Sequence, residues 1–93
     1  MDAFKNIHIG QETLEIATTV TGLTASIYKN AARGIVTVKS GTVYFTTSGT
    51  EPSKDNSFTA NEEDIITLVG WAELQSFRAV ASTTASIYVE YKG

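Results

Sequence analysis

The sequence predicts an all-β domain built as a two-sheet antiparallel β-sandwich. Thr, Ser and β-branched or aromatic residues are abundant, whereas good helix formers are sparse, and such side chains fit a pleated, half-buried surface. Short runs of alternating apolar and polar residues are separated by Gly, Asn and Ser, which is typical of all-β chains. About eight short strands cannot share one small flat sheet with a buried face, so we expect two packed sheets. Both a jelly-roll and an immunoglobulin-like topology remain open.

The expected strands follow one another along the chain. They are Asn6–Ile9, Thr13–Val20, Thr24–Tyr28, Arg33–Lys39, Val43–Thr47, Asp64–Val69, Phe77–Ala81 and Ala85–Tyr91. Between them, the polar stretch Ser48–Asn61 contains the sole proline, Pro52, and is expected to be a surface loop. The residues after Gly70, from Trp71 to Gln75, are expected to form a single helical or 3₁₀ turn.

Alternation assigns faces to two of these strands. In the last one, Ile87, Val89 and Tyr91 are expected on one side and Ser86, Tyr88 and Glu90 on the other. Val36 and Val38 oppose Thr37 and Lys39 in the same way. The segment from Lys39 to Thr42 should be a tight hairpin turn in which Gly41 adopts a positive φ.

One pentapeptide, TASIY, occurs twice, at Thr24–Tyr28 and at Thr84–Tyr88. The flanking residues do not match, so it does not indicate a repeat architecture. A shared environment, with both Ile side chains facing inward, is the expected reason for the recurrence.

Composition narrows the function classes. The 93 residues suit a single domain, residues 1–93, and the chain has no cysteine for disulfides or thiolate metal sites. A net charge of −3 without a Lys/Arg stripe disfavours nucleic-acid binding. The amino terminus lacks the pattern of a secretory signal, and no apolar run is long enough to cross a bilayer. We therefore expect a protein that is not secreted and has no membrane or nucleic-acid partner.

Catalytic and metal-binding patterns are weak. His8, the sole histidine, lies between Ile7 and Ile9 in an expected strand, where an outward-facing side chain is a better interpretation than a catalytic base. The acidic run from Glu62 to Asp64 lacks EF-hand spacing and is better interpreted as a solvated turn. The sequence thus predicts neither an enzyme nor a bound cofactor or metal.

Exposed aromatic residues are the candidates for an interface. Tyr44 and Tyr88 are expected on strand faces away from the core, and together with Trp71 they could form a protein interface or pack as cross-strand pairs. A platform for a glycan is a further alternative, behind both. Arg78 is expected to point outward or to lie at a sheet edge, as an interface ion-pair residue or a solvated one.

Several motifs bear a resemblance to a known family. The matching segments are Gly22–Ser26 with Tyr28, the run Val43–Thr47 followed by Gly49, Thr50 and Pro52, then Glu73-Leu74, Phe77–Val80 and Val89–Tyr91. In this order and spacing the chain resembles small structural proteins of tailed-bacteriophage virions, over most of its length from Gly22 onward. It departs from the pattern at Ser48, where an aspartate is usual, and at Ser53, where a threonine is usual.

The resemblance implies a non-enzymatic virion protein with a β-sandwich fold, made in the host cytoplasm. A capsid decoration protein that binds the assembled head is favoured over a head–tail connector or tail component, and a carbohydrate-binding module is the other alternative. The expected partners are further copies of the chain and the major capsid protein or another virion protein. Residues 1–9, including Phe4 and His8, are a candidate attachment arm.

Overall fold

A computed structural model describes residues 8–52 and 56–93 of the chain. These residues form a β-sandwich of two antiparallel sheets, one with four strands and one with three. The strands are β1 (His8–Ile16), β2 (Arg33–Ser40), β3 (Val43–Thr46), β4 (Phe58–Ala60), β5 (Ile65–Val69), β6 (Arg78–Val80) and β7 (Ala85–Lys92). The described residues also form two short helices, α1 (Ala25–Tyr28) and α2 (Trp71–Ser76). The expected sandwich of antiparallel sheets is confirmed.

The larger sheet has the order β1-β7-β2-β5, and the smaller one β4-β3-β6. A further antiparallel bridge joins Thr21 to Ala79 at the outer side of β6. If the Thr21 segment is counted as a rudimentary second strand, the described residues have eight strand positions, which pair as 1-8-3-6 and 2-7-4-5. This is the strand order of a jelly roll, so the pairing selects one of the two open topologies.

Alternation places the core where the sequence predicts it. On β7, Ile87, Val89 and Tyr91 are fully buried, whereas the residues between them are only half-buried. Val36 and Val38 of β2 lie directly opposite β7 and are also fully buried. Because β7 pairs with β1 on one side and β2 on the other, its inward face is at the centre of the core.

The first two expected strands form a single strand in the structure. The separate segments Asn6–Ile9 and Thr13–Val20 are replaced by the continuous strand β1, which pairs with β7 from His8 to Ile16 and has a register shift between His8 and Gly10. The strand ends at Ile16, so the expected extension over residues 17–20 is wrong. Pairing with the long β7 strand holds the intervening residues extended, although Gly10 breaks the sequence pattern. Residues 6 and 7 lie outside the described part of the chain.

The expected strand Thr24–Tyr28 is wrong, because this segment forms helix α1. The Tyr28 amide donates to the Thr24 carbonyl over 3.2 Å, and the buried Tyr28 ring lies 6.0 Å from the Tyr91 ring, centroid to centroid. A Cβ added at Gly10 would lie 2.9 Å from Ile27 Cγ2, so the helix packs closely against β1. Tertiary contacts therefore override the β propensity of the pentapeptide, and its two copies do not share an environment.

The turn after β2 contains Gly41 with a φ of 78°, as expected. It is not a hairpin, however, because β2 and β3 belong to different sheets. The turn is a corner that carries the chain across the sandwich. Within the expected loop Ser48–Asn61, Phe58–Ala60 forms β4 by pairing with β3. The expected helical turn after Gly70 is confirmed as α2, whose Leu74 is fully buried.

Candidate functional site

Among the described residues, three of the four exposed large apolar side chains lie on one edge strand and just beyond it. Ile65 is 65% exposed, Val69 is 61% exposed and Trp71 is 51% exposed, whereas Phe58, at 65%, belongs to the other sheet. Ile65, Thr67 and Val69 share the outer face of β5, and we call these three residues the β5 surface. Large apolar side chains gathered on an unpaired edge are a mark of an interaction site.

The β5 surface arises because the sequence IITLV is apolar at almost every position. Leu68 is buried against the core and Ile66 packs at its margin, so the alternate side chains must face outward. In the sheet, Ile65 lies opposite Thr37, Thr67 opposite Ile35 and Val69 opposite Arg33. Ile35 is half-buried and extends the apolar area onto β2.

One edge of the β5 backbone is hydrogen-bonded to β2, and the other edge, which we call the open edge, has no partner among the described strands. Val38 donates to the Asp64 carbonyl over 3.0 Å, and Gly70 donates to the Ala32 carbonyl over 2.7 Å. Antiparallel bonding alternates along a strand, so the N–H and C=O groups of Ile66 and Leu68 point to β2. Those of Ile65, Thr67 and Val69 therefore point away from the sheet, where no described strand pairs with them.

One group on the open edge has an internal partner. The Val69 amide donates to the Glu73 carboxylate, with 2.7 Å between Val69 N and Glu73 Oε1. Glu73 is in the first turn of α2, which begins directly after the Gly70 turn. The open edge thus ends at Val69, and its exposed length is the stretch from Ile65 to Thr67 together with the Val69 carbonyl.

The ends of β5 are acidic. Glu62, Glu63 and Asp64 are all exposed in the turn before the strand. This turn is fixed locally, since the Asn61 amide donates to Asp64 Oδ2 over 2.8 Å and Glu63 adopts a φ of 75°. With Glu73 at the other end, negative charge brackets the apolar centre of the open edge.

The described members of the expected interface lie on separate surfaces. Tyr88 is on the outer face of the four-stranded sheet, flanked by Thr13 and Thr37, and its hydroxyl donates to Gln11 Oε1 over 3.0 Å. Trp71 starts α2 and makes an edge-on contact with Tyr28, with ring centroids 6.5 Å apart.

Tyr44 and Arg78 are both half-buried on the other sheet, where Tyr44 pairs with Val80 and Arg78 with Thr46. The Arg78 guanidinium donates to the carbonyls of Gln75 and Phe77 over 2.9 and 2.7 Å. Phe4 lies outside the described residues, and His8 is described only by its backbone in β1.

Sequence reasoning missed Ile65, Thr67 and Val69. A signal was present, because a strand with apolar residues on both faces must either be covered on both sides or expose one of them. Which of these applies to Asp64–Val69 depends on the position of the strand in the sheet. The sequence pattern does not reveal that β5 lies at an edge.

A second surface feature is an open groove in the smaller sheet. It has a volume of about 360 Å³ and is lined by the hydroxyl-rich turn after β3 and the start of β4: Thr46, Thr47, Ser48, Asn56, Ser57 and Phe58. The Phe58 ring packs against Phe45, with 5.6 Å between centroids, and remains mostly exposed. Hydroxyl and amide groups beside an aromatic ring are a combination found in polar small-molecule and sugar sites.

One partly buried carboxylate has a structural role. Glu12 is on the inward face of β1 and accepts bonds from the Thr24 amide at 3.1 Å, from the Thr24 hydroxyl at 2.6 Å and from the Tyr91 hydroxyl. Burial of the Tyr91 ring, followed by its bond to Glu12 and the charge of that carboxylate, raises the pKa of Tyr91 far above its ordinary value. Every bond of this cluster serves to join α1, β1 and β7.

Among the described residues, no group of three or more His, Cys, Asp or Glu side chains is arranged to hold a metal ion. No helix in this part of the chain is long and apolar enough to span a membrane.

The fold and the β5 surface define the chain as a β-sandwich with an exposed edge strand. No protein-family model, no curated protein and no solved structure matches it.

Proposed function

We propose that this chain is a non-enzymatic structural protein of a tailed-bacteriophage virion, made in the host cytoplasm, that decorates the assembled head. The observation that carries the proposal is the β5 surface, an apolar area on an edge strand of a small sandwich. The sequence motifs from Gly22 onward that resemble small phage virion proteins support it. Jelly-roll domains occur in viral capsids and in lectins. The fold therefore supports the proposed function only by analogy with those domains.

Burial of the β5 surface supplies a driving force of the right kind. Covering a Val or Ile side chain completely yields about 1.5–3 kcal/mol, and Ile65 and Val69 are both mostly exposed. Such an area gives a weak contact for one molecule. A head offers many identical sites, so copies that also contact one another gain avidity without any new type of contact.

Two alternatives use the same molecule differently. A head–tail connector or tail component would bind through the same β5 surface to another virion protein. A carbohydrate-binding module is favoured by a separate observation, the groove beside Phe58 with its Thr, Ser and Asn side chains. The tyrosines expected to form a sugar platform, Tyr44 and Tyr88, lie on different sheets, so a glycan site would be this groove instead.

The proposal is tested by cosedimentation with phage heads that lack the chain. We expect the double variant Ile65→Ser, Val69→Ser to bind heads at least about ten-fold more weakly than the wild type, because it removes the apolar contact. Phe58→Ser is the matched control, since Phe58 and Ile65 are equally exposed, at 65%, on different sheets. This control should bind within about two-fold of the wild type.

Undiminished binding of the double variant would remove the β5 surface from the proposal. Binding lost in Phe58→Ser alone and competed by free sugars would favour the carbohydrate alternative. Absence of head binding by the wild-type chain would reject head decoration.

A further inference from the structure

We propose that the open edge of β5 binds an extended segment of another protein by strand addition. The segment has apolar side chains at alternate positions and a Lys or Arg at the end that meets the Asn61–Asp64 turn. The inference rests on the proposed function for identifying the partner as a virion protein. The mode of binding rests on the geometry of β5 alone.

The backbone of β5 provides the first argument. Ile65 and Thr67 direct both their N–H and C=O groups away from β2, as the alternation between Val38–Asp64 and Ala32–Gly70 requires. An antiparallel segment beside them would form two fully bonded residue pairs. Glu73 marks the limit of this docking edge, because its carboxylate already accepts from the Val69 amide. A segment of about five residues therefore fits.

The side chains of β5 provide the second argument. Ile65 and Val69 stand on the outer face on either side of Thr67, and half-buried Ile35 lies beside Thr67 on β2. Alternate side chains of an added strand would project onto the same outer face and pack against Ile65 and Val69. A partner with apolar residues at every second position satisfies this geometry.

Charge decides which kind of partner fits. Glu62, Glu63 and Asp64 are exposed at the beginning of the edge, and the Glu73 carboxylate is bonded to the backbone at its end. A basic residue at the end of the incoming segment would therefore be attracted. In an antiparallel pair of two β5 strands centred on Thr67, the Asn61–Asp64 turn of each copy would approach Glu73 of the other. Like charges would oppose this pairing, so a second copy is a poorer occupant than a basic segment.

The inference is tested with the full chain and a synthetic probe, the blocked peptide acetyl-KVTVTVK-amide. In a titration followed by amide NMR, we expect saturable shifts centred on Ile65 and Thr67, with slower hydrogen exchange at both amides. The peptide with Glu in place of both Lys residues should bind at least about ten-fold more weakly, and the affinity for the Lys peptide should fall as salt is raised. Two further peptides, each N-methylated at alternate residues along one of its two edges, distinguish strand addition from contact with the outer face. Only the peptide whose methyl groups lie on the edge that faces β5 loses the backbone hydrogen bonds.

Variants of the protein complete the test. Thr67→Pro removes the central N–H of the open edge, a position where an edge strand tolerates proline, and should weaken peptide binding at least about ten-fold. Thr67→Ala, which keeps the N–H, should bind within about three-fold of the wild type. If circular dichroism shows that Thr67→Pro is unfolded, the N-methylated peptides give the same information on the wild-type chain.

Three outcomes would overturn the inference. The first is equal binding of both N-methylated peptides and the unmethylated Lys peptide, and the second is equal binding of the Lys and Glu peptides. The third is a concentration-dependent shift of the Ile65 and Thr67 amides without peptide, which would indicate self-pairing. The head-binding assay separates the two proposals. Heads that bind Thr67→Pro as well as the wild type would refute strand addition and leave decoration intact, whereas peptide binding without head binding would do the reverse.

Discussion

At the scale of single residues, the Glu12 carboxylate shows how a polar group is accommodated in a small core. This carboxylate lies between the start of α1 and strand β7. It accepts hydrogen bonds from the Thr24 amide, from the Thr24 hydroxyl and from the Tyr91 hydroxyl. Within the described residues no buried side-chain nitrogen or oxygen lacks a partner. Removing one donor therefore leaves the carboxylate partly unsatisfied, which costs more than the bond itself contributes.

We expect Tyr91→Phe to lower the free energy of unfolding by about 1–3 kcal/mol at pH 7, because it deletes a bond to a carboxylate in the core. Urea unfolding of both proteins measures this difference. Tyr88→Phe is the matched control, since its hydroxyl bonds to exposed Gln11 at the surface, and it should change stability by less than about 1 kcal/mol.

The same pair of variants gives a pH dependence. The pKa of Tyr91 is raised in the folded state, so the folded protein keeps the phenol protonated while the unfolded chain ionises near pH 10. The stabilisation is complete below that pH and is lost as the pH rises above it, by about 1.4 kcal/mol at pH 11. Stability measured from pH 8 to 11 should therefore fall more steeply in the wild type than in Tyr91→Phe. Equal slopes would contradict the raised pKa of Tyr91 in the folded protein.

At the scale of elements, the pentapeptide TASIY shows the limits of local sequence. Its second copy ends in the long strand β7, where Ile87 is buried between β1 and β2. Its first copy contributes Ala25–Tyr28 to α1, which packs against Gly10 of β1 and the Tyr91 ring. The same side chains therefore take two backbone conformations, and the neighbouring elements decide between them.

The corner between β2 and β3 depends on Gly41 in two ways. Its φ is 78°, and a Cβ there would lie 2.7 Å from the Thr84 carbonyl oxygen and 2.9 Å from the Ala85 Cβ. Gly49 has a similar φ of 84°, but a Cβ there would meet nothing within 4 Å. The two positions therefore separate the cost of the backbone conformation from the cost of crowding.

We expect Gly49→Ala to destabilise the protein by about 1–2 kcal/mol, the cost of a left-handed conformation for a residue with a Cβ. Gly41→Ala should cost about 1–3 kcal/mol more, because the methyl group is forced against the backbone that leads into β7. Thermal and urea unfolding of the two variants provide the comparison. Equal destabilisation would mean that the corner relaxes without resistance.

At the scale of the whole molecule, the sandwich leaves β5 at the end of its larger sheet with apolar side chains outside. An exposed edge of this kind is a liability for a monomer unless function requires it. The acidic turn before β5 and the Glu73 carboxylate beside Val69 oppose self-pairing along that edge. Any self-association in decoration would therefore use another surface.

We expect native mass by light scattering, measured over a concentration series, to show a defined oligomer that persists in the double variant Ile65→Ser, Val69→Ser. Persistence is expected because the proposed self-contact does not involve β5. A strict monomer would remove homo-oligomerisation from the proposed function and leave decoration by single molecules. Dissociation of the oligomer by the double variant would show that copies associate through the β5 surface.

Local chemistry determined much of the architecture. Alternation in Ala85–Tyr91 and around Val36 and Val38 predicted which faces are buried, because the side-chain period of a strand is two. Gly41 predicted a left-handed turn, since a residue without a Cβ adopts positive φ readily. The sequence also predicted a short helix after Gly70 and a sandwich of two antiparallel sheets, because so many short strands need a second sheet to bury their apolar faces.

Only the tertiary structure decided the pairing order, the helical state of Ala25–Tyr28 and the position of β5 at an edge. For the pairing order and for the edge position the physical reason is the same. A strand's own residues specify two faces but not its neighbours, because backbone hydrogen bonds are identical for every residue pair. The exposure of Ile65 and Val69 therefore follows from what packs beside them, and that information is distributed over the whole chain.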